Sequence, residues 1–150
     1  MLRLVTFALA LSGLCLSSAV RADDAEDKAV AFVKKLGGTV TRDEKAPGEP
    51  VITAKVRKVS DAGLKELAAL KNLTTLDLWR TSVSDAGLKE LAALESLNTL
   101  HLGGTKVTDA GMTALTALKN LNSLDLSKTE VTDAGLRELQ RALPKCQIKK

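Results

Sequence analysis

Val83-Ser84-Asp85-Ala86-Gly87-Leu88 repeats, letter for letter, the stretch Val59-Ser60-Asp61-Ala62-Gly63-Leu64 found 24 residues earlier. Val107-Thr108-Asp109-Ala110-Gly111-Met112 and Val131-Thr132-Asp133-Ala134-Gly135-Leu136 follow at the same interval, with no insertion or deletion. A fixed period of this size marks a solenoid, in which each unit buries its apolar edge only by stacking on the next. The architecture follows from the period, and function is narrowed to recognition by a surface.

One unit, residues 83–106, shows how each repeat folds. Ser84 and Asp85 are both able to cap a helix by accepting a hydrogen bond from a free backbone N–H. Leu88, Leu91 and Leu94 recur at spacing three, which places them on one side of a short helix. Glu95-Ser96 turns the chain, and Leu97 leads into Thr99-Leu100-His101-Leu102-Gly103, where leucines alternate with polar residues as in a half-buried strand. Each 24-residue unit is therefore expected to be a short parallel β-strand plus a short helix, giving an α/β solenoid. Gly63, Gly87, Gly111 and Gly135 fall in the first helical turn and are assigned to close helix packing. The Gly103-Gly104 pair lacks the surroundings of a nucleotide-binding loop.

Leu73-Thr74-Thr75-Leu76-Asp77-Leu78-Trp79-Arg80-Thr81 resembles the L-x-x-L-x-L-x-x-N signature of leucine-rich repeats, as do residues 97–105 and 121–129. Thr81, Thr105 and Thr129 stand where that family carries Asn or Cys, and their hydroxyls are expected to bond the turn backbone in its place. The chain is similar to bacterial secreted repeat proteins that carry V-T-D-A-G-L, and to ribonuclease-inhibitor-like and F-box repeat arrays. The resemblance implies a leucine-rich repeat solenoid over roughly residues 51–150. It implies little about function, because such arrays serve many binding roles. No F-box precedes the repeats, so a ubiquitin-ligase role is not carried over.

Both ends of an open solenoid need cover. Ala25, Ala29, Phe32, Val33 and Leu36 share one face of a helix closed by Gly37-Gly38, and strands are expected at 39–41 and 51–56. Residues 23–58 are read as an N-terminal cap of a helix plus two strands, and residues 59–150 as the repeats. Pro144 breaks the pattern in a truncated closing unit. Ahead of the cap, Arg3, the apolar stretch Leu4 to Leu16 and Val20-Arg21-Ala22 have the layout of a signal peptide, residues 1–22. The apolar stretch is short for a membrane span. Export to the periplasm or outside the cell is expected, with no membrane insertion after signal removal. Leu14 stands directly before Cys15, where a lipoprotein signal carries a small residue. Cys146 would then be the lone mature cysteine, read as buried and apolar, an intermolecular disulfide being the alternative.

Loss of Arg3 and Arg21 takes the formal charge from +4 to +2, which gives no reason to expect nucleic acid. The polar residues that alternate with strand leucines should line the concave sheet face. These are Thr75, Asp77 and Trp79, then Thr99, His101 and Gly103, then Ser123, Asp125 and Ser127. Matching positions lie about 4.8 Å apart. Trp79, the sole tryptophan, is the first choice of contact residue, since tryptophan is enriched at binding hot spots. His101 lies between Asp77 and Asp125, where it relieves carboxylate repulsion. A metal site there would lack a supporting shell, and a Ser-His-Asp arrangement with Ser123 or Ser127 would lack a water-excluded pocket. Nine outward residues suit a peptide, a glycan or a weak partner better than a standard protein interface. The sequence thus predicts non-catalytic protein or peptide binding, with no metal or cofactor, by a monomer or weak self-associator. The competing expectation is a structural, self-associating envelope module.

Overall fold

The computed structural model describes residues 19–150, so most of the expected leader, 1–22, lies outside the described residues. Helix α1 (Ala19–Lys35) precedes an antiparallel hairpin of β1 (Thr39–Arg42) and β2 (Val51–Lys55). Helices and parallel strands then alternate: α2 (Asp61–Leu67), β3 (Thr75–Asp77), α3 (Asp85–Leu91), β4 (Thr99–His101), α4 (Asp109–Leu115), β5 (Ser123–Asp125), α5 (Asp133–Ala142) and β6 (Gln147–Lys149). All strands join one sheet in chain order, β1 to β6. The α/β repeat solenoid expected from the period is the observed fold.

Strand register follows the period. Thr75, Thr99, Ser123 and Gln147 are Cα partners from strand to strand, and Thr53 of β2 continues that row. One position on, Ala54, Leu76, Leu100, Leu124 and Ile148 stack inward. Pro144 does not upset the register of β6. A β-bulge between Thr41 and Arg42 skips Ile52 and turns Val51 fully into the core. On α1, Ala29, Val30 and Val33 are buried and Phe32 and Leu36 pack partly against them. Ala25, grouped with that face from the sequence, is exposed, while Val30 is inside. Arg42 ties hairpin to helix through Glu26 at 2.7 Å, and Glu26 also accepts the Val51 N–H at 3.2 Å.

The leucines supply the cohesion. Leu64, Leu67, Leu70, Leu73, Leu76 and Leu78, and their equivalents Leu88, Leu91, Leu94, Leu97, Leu100 and Leu102, are all fully buried. Each such side chain contributes about 1.5–3 kcal/mol relative to exposure. Thr81 and Thr105 are buried too, and with Thr129 they donate Oγ–H to the carbonyls of Leu78, Leu102 and Leu126 at 2.8, 2.6 and 2.6 Å. Those hydroxyls bond the turn of their own unit.

The Asp of the repeated motif does something different from capping. Ser84, Thr108 and Thr132 are the N-caps, accepting N–H bonds from Ala86, Ala110 and Ala134 at 3.4, 3.3 and 3.2 Å. Asp61 instead reaches into the next unit, taking the Ser84 N–H and Oγ–H, each at 2.7 Å. Asp85 holds Thr108 in the same way at 2.8 and 2.6 Å, and Asp109 holds Thr132. Each hydroxyl therefore accepts from its own helix and donates to the carboxylate of the unit before, a polarised chain of hydrogen bonds. The Thr132 side chain and then its N–H hold the Asp109 carboxyl below its ordinary value against a small opposing effect of burial. Lys150 takes over the role at the last unit, donating to Asp133 at 2.7 Å and lowering that carboxyl as well.

The glycine column follows from these brackets. A Cβ on Gly87 would fall 2.5 Å from Asp61 Oδ1, and Cβ atoms on Gly111 and Gly135 would collide with Asp85 and Asp109. Gly63 has no bracket before it and receives the Phe32 ring of α1 instead. The glycines make room for a carboxylate as well as for a neighbouring helix. In an ordinary helix Gly→Ala stabilises by about 0.5–1 kcal/mol. Here Gly111→Ala is expected to destabilise by about 1–3 kcal/mol through overpacking. Urea unfolding measures this, and a gain in stability would contradict the bracket.

Candidate functional site

The outward residues of five parallel strands form one face. Its first row is Thr53, Thr75, Thr99, Ser123 and Gln147, and its second is Lys55, Asp77, His101, Asp125 and Lys149. Just beyond the strands come Arg57, Trp79, Gly103 and Ser127. Thr75, Thr99, Ser123, Asp77, His101 and Asp125 thus sit in adjacent register positions, with Trp79 and Ser127 at the rim. A shallow depression of about 380 Å³ opens between Arg57, Asp77, Trp79, His101, Asp125 and Lys149.

Hydrogen bonds fix the two carboxylates. Asp77 accepts the Trp79 N–H at 3.0 Å and Asp125 accepts the Ser127 N–H at 2.9 Å, the same two-residue turn in units one repeat apart from His101 on either side. Arg57 grips Asp77 with both terminal nitrogens, at 3.1 and 3.0 Å. Lys149 stands 3.8 Å from Asp125. The second row therefore carries a cation at each end, a carboxylate inside each, and the imidazole at the centre. Burial works to raise the Asp125 carboxyl, but Ser127, whose N–H donates to it, and then Lys149 and His101 outweigh it and hold it below the ordinary value.

Arg57 and Lys149 were not among the residues singled out from sequence, because β2 and β6 lie outside the clean repeats. The period does point to Lys149, which stands 24 residues after Asp125. Arg57 is harder to find: Thr53 pairs with Thr75 across only 22 positions, since the turn between Val56 and Val59 is two residues shorter than its counterparts.

Trp79 is half-buried, with its indole laid on Gly103: a Cβ there would fall 2.7 Å from Trp79 Cδ1. Arg80 covers the ring, its guanidinium carbon 4.2 Å from the centroid. The Arg80 stem crosses Gly104, where a Cβ would lie 3.1 Å from Cγ. The Gly103-Gly104 pair of one unit thus receives the Trp79-Arg80 pair of the unit before. Arg80, Gly104 and Lys128 occupy the same turn position with φ of 56°, 69° and 59°, the left-handed region that glycine prefers.

Among the described residues, no group of three or more His, Cys, Asp or Glu side chains is placed to hold a metal ion. Ser127 bonds Asp125 through its backbone N–H, its hydroxyl is buried without a hydrogen-bond partner among the described residues, and the face is open. Cys146 is free and buried, and burial pushes its thiol pKa up. Among the described residues, no helix is long and apolar enough to cross a membrane.

The leucine-rich repeat family model matches residues 69–92, 93–115 and 117–139. These three segments are leucine-rich repeats. Such repeats are typically protein-interaction modules and generally non-enzymatic. No curated protein matches this sequence. Similar solved structures include a leucine-rich repeat protein of Leptospira interrogans, 27% identical with a TM-score of 0.48, where 64% of this chain covers 23% of that one. An internalin of Listeria monocytogenes is 24% identical with a TM-score of 0.45, over 64% of this chain and 33% of its own. The ectodomain of the Arabidopsis thaliana receptor kinase SOBIR1 is 13% identical with a TM-score of 0.45, over 85% and 91% of the two chains. This repeat protein spans about a quarter to a third of the length of the two bacterial structures.

The lowered Asp125 pKa fixes the sign of a pH effect. Its stabilising contribution is whole above the unfolded value of about 3.9 and drains away as pH falls through the lower folded value. Asp125→Asn is therefore expected to lose less stability than the wild type between pH 6 and pH 3, read from urea midpoints. Equal losses would contradict the assignment.

Proposed function

We propose that this protein is exported and binds a protein or peptide, without catalysis, through the concave face of its sheet. Residues 1–22 act as the leader, 23–58 as the cap, and 59–150 as the repeats that present most of the binding surface. Trp79, Asp77, His101 and Asp125 are the central contacts, with Thr75, Thr99 and Ser123 offering hydroxyls around them and Ser127, its hydroxyl buried, at the rim.

Trp79 carries the reading. It is half-exposed beside a shallow depression, held in one orientation by Gly103 and Arg80, and so loses little freedom on binding. A flat depression in front of alternating hydroxyls and charges suits an extended chain better than a small molecule that needs enclosure. The alternative, a self-associating envelope module, draws on the outer edge of β6, where the sheet order ends. That edge is three residues long and carries Lys149, which limits strand pairing with another copy. Burial of Cys146 also disfavours disulfide-linked assembly.

Trp79→Ala tests the proposal. Peptides selected by display against the wild type should lose about 2 kcal/mol or more of binding to the variant in calorimetric titrations. The melting temperature should shift by no more than a few degrees. Peptides that bind both proteins equally would place the ligand elsewhere, and an unfolded variant would make Trp79 a packing residue only.

A further inference from the structure

The second-row carboxylates are not what a partner meets first. The side chains of Asp77 and Asp125 are only 15% and 20% exposed, whereas those of Arg57 and Lys149 are 49% and 75% exposed. Lys55, Arg80 and Lys128 are exposed as well. The solvent side of this face therefore carries five cations over two recessed, already engaged carboxylates. Lys106 and Glu130, at equivalent points of the neighbouring turns, offset each other.

Backbone strain adds an independent observation. A left-handed backbone costs a residue with a Cβ about 1–2 kcal/mol. The turn position filled by Gly104 is filled in the flanking units by Arg80 and Lys128, at φ of 56° and 59°. The two residues strained at this turn position are basic and stand at the rim next to Trp79 and Ser127, whereas Glu49, at φ of 44°, belongs to the turn between β1 and β2. Residues held in such conformations at a surface point to a role beyond folding.

Accepting that the concave face is the binding surface, we infer that its ligand is an acidic, extended polypeptide segment of a partner protein, lying across the strands. Carboxylates of that segment meet Arg57 and Arg80 at one end and Lys128 and Lys149 at the other, and a small apolar side chain between them rests against the Trp79 edge. From β2 to β6 is four strand spacings, about 19 Å. About six extended residues span that distance. The exposed cations act mainly through long-range attraction, so binding weakens as salt rises.

Trp79 is the only tryptophan, so its emission reports contact at this face. The probes are the blocked octapeptides (Glu-Ala)4, (Ser-Ala)4 and (Lys-Ala)4 and an eight-nucleotide oligothymidylate, titrated into the intact protein at low salt. The glutamate peptide is expected to shift the emission saturably and to bind more tightly than the other three. Lys128→Ser, which leaves the Arg80–Trp79 stack in place, should weaken it about two- to fivefold, and Arg80→Ser with Lys128→Ser about five- to tenfold by anisotropy of labelled peptide. Glutamate-peptide affinity unchanged in both variants would overturn the inference. Preference for the serine or lysine peptide, read at Trp79, would overturn the acidic specificity while leaving concave-face peptide recognition standing. Tighter binding of the oligothymidylate would reassign the face to nucleic acid. No emission change with any probe would overturn the inference, leaving the broader reading to the display-selected peptides.

Discussion

No unit of this chain can bury its own leucines. A helix of seven residues and a strand of three form too small a body to shield Leu88, Leu91 and Leu100 from water, so each unit is stable only against its neighbours. That makes inter-unit register the controlling quantity. Leucine packing is strong but tolerant of small slips, whereas the Asp bracket is directional. Asp61, Asp85 and Asp109 each accept two hydrogen bonds from the second residue of the next motif, Ser84, Thr108 and Thr132. The apolar stack supplies the free energy, and the bracket fixes where each unit sits within it.

The same register creates the outer face. Once Leu76, Leu100 and Leu124 are superposed inside, strand alternation leaves Asp77, His101 and Asp125 in one outer row. The row is assembled from residues 24 positions apart, so no local segment contains it. Arg57, just past β2, and Lys149 of β6 then cover the carboxylates. A sheet surface that looks mixed in composition is thereby sorted by depth, with acids recessed and bases outward. Depth decides what a ligand senses, because an exposed charge acts over a Debye length of about 10 Å while a recessed pair largely cancels itself.

Much of this was legible in the sequence, for a physical reason. A perfect period removes the uncertainty about which segments pair, and alternation in Thr99-Leu100-His101 fixes which side chains face out. Four things were hidden. The role of Asp85 was masked because Ser84 and Asp85 are both competent caps, and only the three-dimensional placement of the next unit tells them apart. Gly87 was read as a helix-approach residue, although the nearest atom to its missing Cβ belongs to a side chain of the preceding repeat. Arg57 was missed because the first turn is shortened, so counting by 24 steps past it. Exposure of Ala25 and burial of Val30 depend on how α1 rests against the hairpin, which helical periodicity alone does not fix.

The stacking account is tested most directly by through-space proton contacts in the NMR spectrum of the folded protein. Stacking in register predicts cross-peaks from the His101 ring to the methylene protons of both Asp77 and Asp125, and from the Trp79 indole to the Gly103 α-protons. Indole cross-peaks to the methyls of Leu76 or Leu100, or a His101 ring in contact with neither aspartate, would contradict the register on which the face is built.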